Sequence, residues 1–245
     1  MSILQHVLIT GANGSLGLET ARYFLSHNDA WKVSLGVRAG RQERALALGE
    51  EFSGRAQVVH LDVTQVADWQ AAVEQATQQQ GPLTALVNNA GFHDDALLAN
   101  MSAGQWAAVL DANLNGVFHG CQAVMGGMMR QRYGRIINVA SLSALLSPVG
   151  QTNYAAAKAG VLGLSQSLSK EVARMGITVN TVCPGYIEGG LPAEWDAEHR
   201  KGLLRQIPMR RFAQPREVAA AIFFLASPEA SYITGAHLKM DGGIL

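Results

Sequence analysis

Apolar residues recur along this chain with two alternating spacings. Short runs rich in β-branched residues, at 6–9, 32–37, 56–60, 85–88, 135–139, 178–182 and 237–240, read as strands. The longer stretches 16–27, 66–79, 106–131, 153–174 and 216–225 carry the apolar spacing of amphipathic helices. Strands separated by crossover helices predict an α/β chain: a doubly wound, seven-stranded parallel sheet with helices on both faces. No repeat is visible and nothing resembles a linker, so residues 1–245 are expected to form one domain. A substrate lid is expected at about 186–206, with Leu191, Trp195 and Leu203 facing the substrate.

In such sheets ligands bind beyond the carboxyl ends of the strands, where strand order reverses. The loops there are 11–17, 89–91, 141–143 and 184–190, all rich in small and polar residues. The first reads Gly11-Ala12-Asn13-Gly14-Ser15-Leu16-Gly17 between a strand and a helix. That context suits a dinucleotide pyrophosphate, because glycines admit close approach and a helix N-terminus offers free N–H groups. A Gly-rich turn without a ligand is the alternative.

At the end of the second strand Val37 takes the slot where an NAD site places an acid for the adenosine ribose. Arg38 and Arg41 follow, so a 2′-phosphate would meet guanidinium groups, which favours NADPH; the plain alternative is two surface arginines. Asp62 either accepts from adenine or caps the following helix.

Tyr154 and Lys158 stand four apart in an alanine-rich helix and so leave the same face. A phenol has a pKa of roughly 10 and is a poor acid at neutral pH, but an ammonium beside it would lower that value. Tyr154 would then donate a proton to a carbonyl oxygen, with the Ser141 hydroxyl holding the same oxygen. Taken alone, the pair is also an ordinary surface pair, and Ser141 an ordinary turn residue.

Composition narrows the classes. Lys plus Arg and Asp plus Glu are 19 each, so no charge imbalance points to nucleic acid or a membrane surface. No run reaches membrane-spanning length, and no basic region, long apolar run or small-residue cleavage site precedes the first strand, so no leader is expected. Two cysteines, Cys121 and Cys183, lie far apart in apolar surroundings, which fits reduced thiols in a cytoplasmic protein. No metal is expected.

With these motifs in this order, together with Asn88-Asn89-Ala90-Gly91, Asn113 and Pro184-Gly185, the chain resembles the short-chain dehydrogenase/reductase family in its compact, single-domain Rossmann form. The match runs from about His6 to Gly243. Within the family it is most similar to 3-oxoacyl-[acyl-carrier-protein] reductases, through the 153–160, 176–180, 184–188 and 232–235 stretches. The resemblance implies a catalytic set of Asn113, Ser141, Tyr154 and Lys158, with Ser143 a rival for Ser141. Asn113 would hold a water linking Lys158 to solvent, and Lys158 would also bind the nicotinamide ribose. Implied cofactor contacts are Gly11, Asn13, Ser15, Leu16, Gly17, Arg38, Asp62, Val63, Asn89, Ala90, Gly91, Tyr154, Lys158, Pro184, Gly185 and Ile187.

The implied reaction is reduction of a 3-oxoacyl thioester by NADPH. Another secondary alcohol or ketone (sugar, steroid, small cyclic alcohol), a CoA thioester, and a cofactor-binding protein without turnover are the alternatives. Arg132 falls where such reductases dock an acidic carrier protein, with Met175 at the second docking position and Arg174 beside it. A homotetramer is the family's habit. Two departures stand out: Ser15 replaces the middle glycine of the loop, and Glu188-Gly189-Gly190 replaces a threonine-bearing turn, which predicts a mobile substrate loop.

Overall fold

A computed structural model of the chain describes residues 5–190 and 197–245. The seven expected strands are present: β1 (Gln5–Thr10), β2 (Trp31–Val37), β3 (Ala56–His60), β4 (Ala85–Asn88), β5 (Gly134–Val139), β6 (Ile177–Pro184) and β7 (His237–Met240). Every pairing is parallel, in the order β3-β2-β1-β4-β5-β6-β7. The helices are α1 (Ser15–His27), α2 (Glu43–Glu51), α3 (Val66–Gln80), α4 (Ala103–Leu110), α5 (Gly116–Gln131), α6 (Ser143–Leu146), α7 (Thr152–Val172), α8 (Ala197–Gln206) and α9 (Pro215–Ala226).

Alternation along the strands divides the interior in two. Val7 and Ile9 join Ile137 and Val139 in a cluster closed by Phe24 of α1, Leu48 of α2 and Ile222 of α9. Leu8 and Ile136 point the other way and pack on Trp69 of α3, Met128 of α5 and Val161 of α7. Each such side chain contributes about 1.5–3 kcal/mol when fully buried. Both faces of the sheet are therefore covered, as near-continuous apolar strands require. Strand order reverses between β1 and β4, the point beyond whose carboxyl ends such sheets bind ligands.

The 106–131 stretch is helical throughout but not one helix. Between α4 and α5 a π turn, Asp111–Asn115, widens the spiral, with the Gly116 N–H reaching the Asp111 carbonyl. The helix α2 escaped the periodicity because only Ala45 and Leu48 of its nine residues are buried. In the lid region Leu203 packs inward with Ile207 and Phe212 in a small third cluster. Leu191 and Trp195 lie outside the described residues. No helix among the described residues is long and apolar enough to cross a membrane.

Candidate active site

The first βα junction uses glycine for steric reasons. Gly11 has a φ of +64°, and a Cβ there would come within 2.9 Å of the Ala90 Cα. On Gly17 a Cβ would collide with the Gly11 carbonyl oxygen. The loop after β4 lies directly against this turn: the Asn89 side-chain amide donates to the Thr10 carbonyl at 2.9 Å. Thr10 Oγ1 in turn accepts the Asn89 and Ala90 N–H groups, each at 2.9 Å. Ser15 opens α1 without a positive φ, so replacing the middle glycine costs no strain. Gly14 caps α1 with no side-chain bond and no acid in the first turn, leaving its N–H groups for an anion. Leu16 packs on the core beneath. The Asn13 side chain turns away, because its Oδ1 accepts the Ala45 N–H at 3.0 Å and so ties the loop to α2.

Beside the β2 end lies a cavity of about 520 Å³ lined by Arg38, Arg41, His60, Asp62, Gln65 and Asp68. Val37 does not face it, being 3% exposed in the core, whereas Arg38 lines it. The Asp62 carboxylate accepts the Thr64 N–H at 3.0 Å and the Thr64 hydroxyl at 2.8 Å. Burial opposes its charge, but these bonds, with Arg38 and His60 nearby, hold its pKa below the usual carboxylate range. Asp62 does not cap α3, whose N-cap is Gln65. Val63 is buried and packs against Gly116.

Three elements bring the expected catalytic residues together: the β5 end supplies Ser141, α7 supplies Tyr154 and Lys158, and the π turn supplies Asn113. The Ser141 hydroxyl lies close enough to Tyr154 to lower its pKa. Lys158 is buried, donates to the Val139 carbonyl at 2.9 Å, and lies 5.7 Å from the Tyr154 ring centre. The Asn113 amide donates to the carbonyls of Phe92 at 2.7 Å and Val109 at 2.8 Å. Its buried Oδ1 has no hydrogen-bond partner and sits over Gly91, on which a Cβ would collide with it and stand 3.5 Å from Lys158 Nζ. Gly91 is what allows Asn113 and Lys158 to approach each other.

The electrostatics differ from the sequence expectation. Burial is the largest influence on Tyr154 and raises its pKa; the Ser141 hydroxyl lowers it and the Asp95 charge raises it. Burial also drops the Lys158 ammonium to about 8. Lys158 lies 5.7 Å from the ring centre and is bonded to Val139, and the influences that act on the phenol are burial, Ser141 and Asp95. Beneath the site, Asn88 donates to Asn138 at 2.8 Å and Asn138 to Ser165 at 2.9 Å, fastening β4, β5 and α7 together. Cys121, beside this network, has its thiol pushed up to about 12 by burial, and Cys183 is raised for the same reason. Both thiols are free and buried.

Pro184 and Gly185 form the far wall. The Pro184 carbonyl accepts the Leu142 N–H at 2.8 Å, and the Gly185 N–H donates to Met240 at 3.0 Å. Ile187 bridges to Ala213, and Glu188 accepts from Arg200 of α8 at 2.8 Å. The turn at 188–190, expected to be mobile, carries a half-exposed ion pair to α8. The mouth is an apolar collar, with Phe92, Leu97 and Leu98 on one side and Leu145, Leu146 and Val149 on the other, all exposed.

Arg132 and Arg174 are not at this mouth. Arg132 ends α5 and donates to the Arg174 carbonyl at 3.0 Å, where β5 and β6 begin. The six residues of β5 set them about 20 Å from Ser141 in the same chain. Conversely, His93, Asp95 and Gln151 stand at the mouth and were not expected; their signal was a polar His93-Asp94-Asp95 run just past a strand end.

The family whose sequence model matches residues 11–245 is described as enoyl-(acyl carrier protein) reductase. Curated relatives include the 3-oxoacyl-[acyl-carrier-protein] reductase FabG of Vibrio cholerae, 40% identical over 97% of this chain and 96% of its own length. The reductases of the same name from Thermotoga maritima and Escherichia coli are each 39% identical, again over 97% of this chain and 96% of theirs.

Proposed function

Because this chain belongs to the short-chain dehydrogenase/reductase family, which works with a nicotinamide cofactor, we propose that it is an NADPH-dependent reductase turning a 3-oxoacyl thioester into the 3-hydroxyacyl form. The cofactor, when bound, supplies the hydride. Gly11, Ser15, Leu16 and Gly17 would hold its pyrophosphate at the α1 N-terminus, Arg38 and Arg41 its 2′-phosphate, and Asp62 and Val63 its adenine. Asn89, Ala90 and Gly91 would floor the site, Tyr154 and Lys158 would meet the nicotinamide ribose, and Pro184, Gly185 and Ile187 would wall the ring.

The chain's own part is proton delivery. Ser141 donates to the substrate carbonyl oxygen, and Tyr154, kept protonated by burial, passes its proton to the same oxygen as charge builds there. Lys158, lowered by burial to about 8, resupplies that proton from the side where Asn113 Oδ1 offers an open acceptor. The observation that carries the reading is this convergence of Ser141, Tyr154 and Lys158 with an unpaired Asn113 acceptor.

The relatives' names and the apolar collar support an acyl substrate. One observation favours a second reading, a carrier-free thioester or another apolar ketone: residues 92–98 and 143–151, flanking the mouth, contain no Lys or Arg to meet an acidic carrier protein. Initial rates with acetoacetyl thioesters of carrier protein, CoA and a pantetheine mimic separate the two. Strong preference for the carrier form, lost at high salt, supports docking; equal rates support the second reading; no turnover of any thioester overturns the substrate class. A homotetramer is supported by Trp106, Phe118 and Met129, exposed along α4 and α5, and a cytoplasmic setting by two free thiols.

A further inference from the structure

The loop after β4 takes no part in proton delivery, yet it is bonded to the π turn that carries Asn113 and to α7, which carries Tyr154 and Lys158. Its Phe92 carbonyl accepts from Asn113 of the π turn at 2.7 Å. Its Asp94 carbonyl accepts from Asn153 of α7 at 3.0 Å, and its Ala96 N–H donates to Gly150 at 2.9 Å. Between these anchors Asp95 spreads its carboxylate over two partners, Oδ1 to His93 Nδ1 at 3.1 Å and Oδ2 to Gln151 Nε2 at 2.8 Å. The His93 ring meets the Tyr154 ring edge-on, 6.0 Å between centres.

Beyond Gln151 the bonds continue inward. Gln151 Oε1 accepts from the Ser143 hydroxyl at 2.8 Å, and the Ser143 N–H donates to Ser141 Oγ at 3.1 Å. As far as the Ser143 hydroxyl the polarity of this chain follows from its outer end, and from there to Ser141 it is set by the Ser143 backbone N–H, which can only donate. A carboxylate only accepts, so Gln151 must turn its NH₂ to Asp95 and its oxygen to Ser143. The Ser143 hydroxyl must then donate outward, and the Ser143 N–H takes a lone pair of Ser141. The Ser141 proton is left for Tyr154 or the substrate oxygen.

We propose that Asp95 is a positioning residue of this reaction, which, held by His93, fixes the Gln151–Ser143–Ser141 hydrogen-bond chain and so aims the Ser141 hydroxyl at the reacting oxygen. This rests on the reductase reading of the site. The Asp95 charge also acts on Tyr154 in the direction that keeps it protonated. Few other charges reach the pair among the described residues: Lys158 from α7, and Asp94 and His93 from the same loop, with Asp94 itself engaged by Gln105 of α4 at 3.0 Å. The facing residues 141–151 contribute none. From β6 the Cys183 thiol lies near Lys158.

The test is Asp95→Asn, which keeps the shape but removes the charge and one acceptor. We expect kcat to fall about 10- to 100-fold with little change in KM, as for a misplaced catalytic group. The alkaline limb of the reduction profile should move to lower pH. The loss should be non-additive with Ser143→Ala, since both cut one chain. Gln151→Leu, which leaves the carboxylate in place, should lower kcat without moving that limb. Wild-type kcat in Asp95→Asn or in Gln151→Leu, or full additivity with Ser143→Ala, overturns the proposal. A near-ultraviolet tyrosinate titration, taken as the difference from Tyr154→Phe, needs no substrate. A lower Tyr154 titration point in Asp95→Asn supports the assignment even if every thioester is refused, and an unmoved one sinks it.

Discussion

Two buried ionisable side chains where the strands begin, His6 and Arg135, have their hydrogen bonds taken up, whereas Lys158 and Asn113, buried where the strands end, keep capacity for a partner. His6 is fully buried at the first edge, one ring nitrogen on the Gly81 carbonyl and the other on Ser34, each at 2.8 Å. Arg135, 4% exposed, spends its guanidinium on the carbonyls of Gly134, Gly176 and Ser227 and stacks on Tyr133. At the other edge Lys158 is as deeply buried with no carboxylate beside it, and Asn113 keeps an acceptor unpaired. Burial with partners makes His6 and Arg135 structural groups; the unpaired Asn113 acceptor gains meaning from its place beside Lys158 and Gly91, since Gln57, Gln80 and Thr178 also keep an unpaired atom away from the site. The same protein thus uses one kind of side chain for stability below and for chemistry above.

The sharpest break of that contrast is Tyr154→Phe. It removes the acid and leaves the ring on His93, so turnover should fall by about 100- to 10,000-fold, roughly 3 to 5 kcal/mol on the barrier, with cofactor binding and folding intact. Turnover near wild type would mean that the unpaired groups above are not the acid machinery.

The next effect belongs to the lower edge. Burial, the largest cause, lowers the His6 pKa to about 4 from 6.5, with the Gly81 bond opposing and Lys32 assisting. The folded state therefore resists the proton that the unfolded chain accepts. Stability from this group is present above pH 6.5 and is lost as pH falls toward 4, about 3 kcal/mol in all. Denaturant midpoints measured from neutral to mildly acidic pH should follow that slope, and His6→Asn should flatten it. An unchanged slope in the variant would assign the acid sensitivity to other groups.

Sequence made the catalytic pair legible because its information is local: Tyr154 and Lys158 are one helical turn apart, and Ser141 follows a β-branched run. The parallel sheet was legible for the same reason, since each strand announces itself by composition. What crosses the chain was not. Asp95 and Gln151 are 56 residues apart, and nothing in either stretch signals the bond between them. The widened turn at Asn113 is hidden inside a pattern that reads as one continuous helix, because a π turn inserts its extra residue without changing composition. Arg132 precedes β5 while Ser141 follows it, so within one chain the two lie at opposite edges, a separation its sequence neighbourhood did not show. Val37 was assigned a ligand slot by counting to a strand end, and the alternation of the strand turned it into the core instead.

The smallest expected effect sharpens the contrast within the upper edge itself, where the catalytic end is enclosed and the adenosine end is open. Arg38 is exposed and lines the cavity shared with Asp62. Its charge meets no carboxylate at ion-pair distance among the described residues, so a 2′-phosphate would find it available. A hydrogen bond to a charged group is worth about 1.5 to 3 kcal/mol, which converts to roughly tenfold or more in binding. Arg38→Ala should therefore raise the Kd for NADPH by about tenfold and leave that for NADH nearly unchanged, measured by fluorescence titration of the two reduced cofactors. Losing both equally would make Arg38 a general anchor for the adenosine half and move the choice of cofactor to Arg41. Losing neither would leave the open end of the cleft without a reader for the phosphate, and NADPH preference would lose its support in this chain.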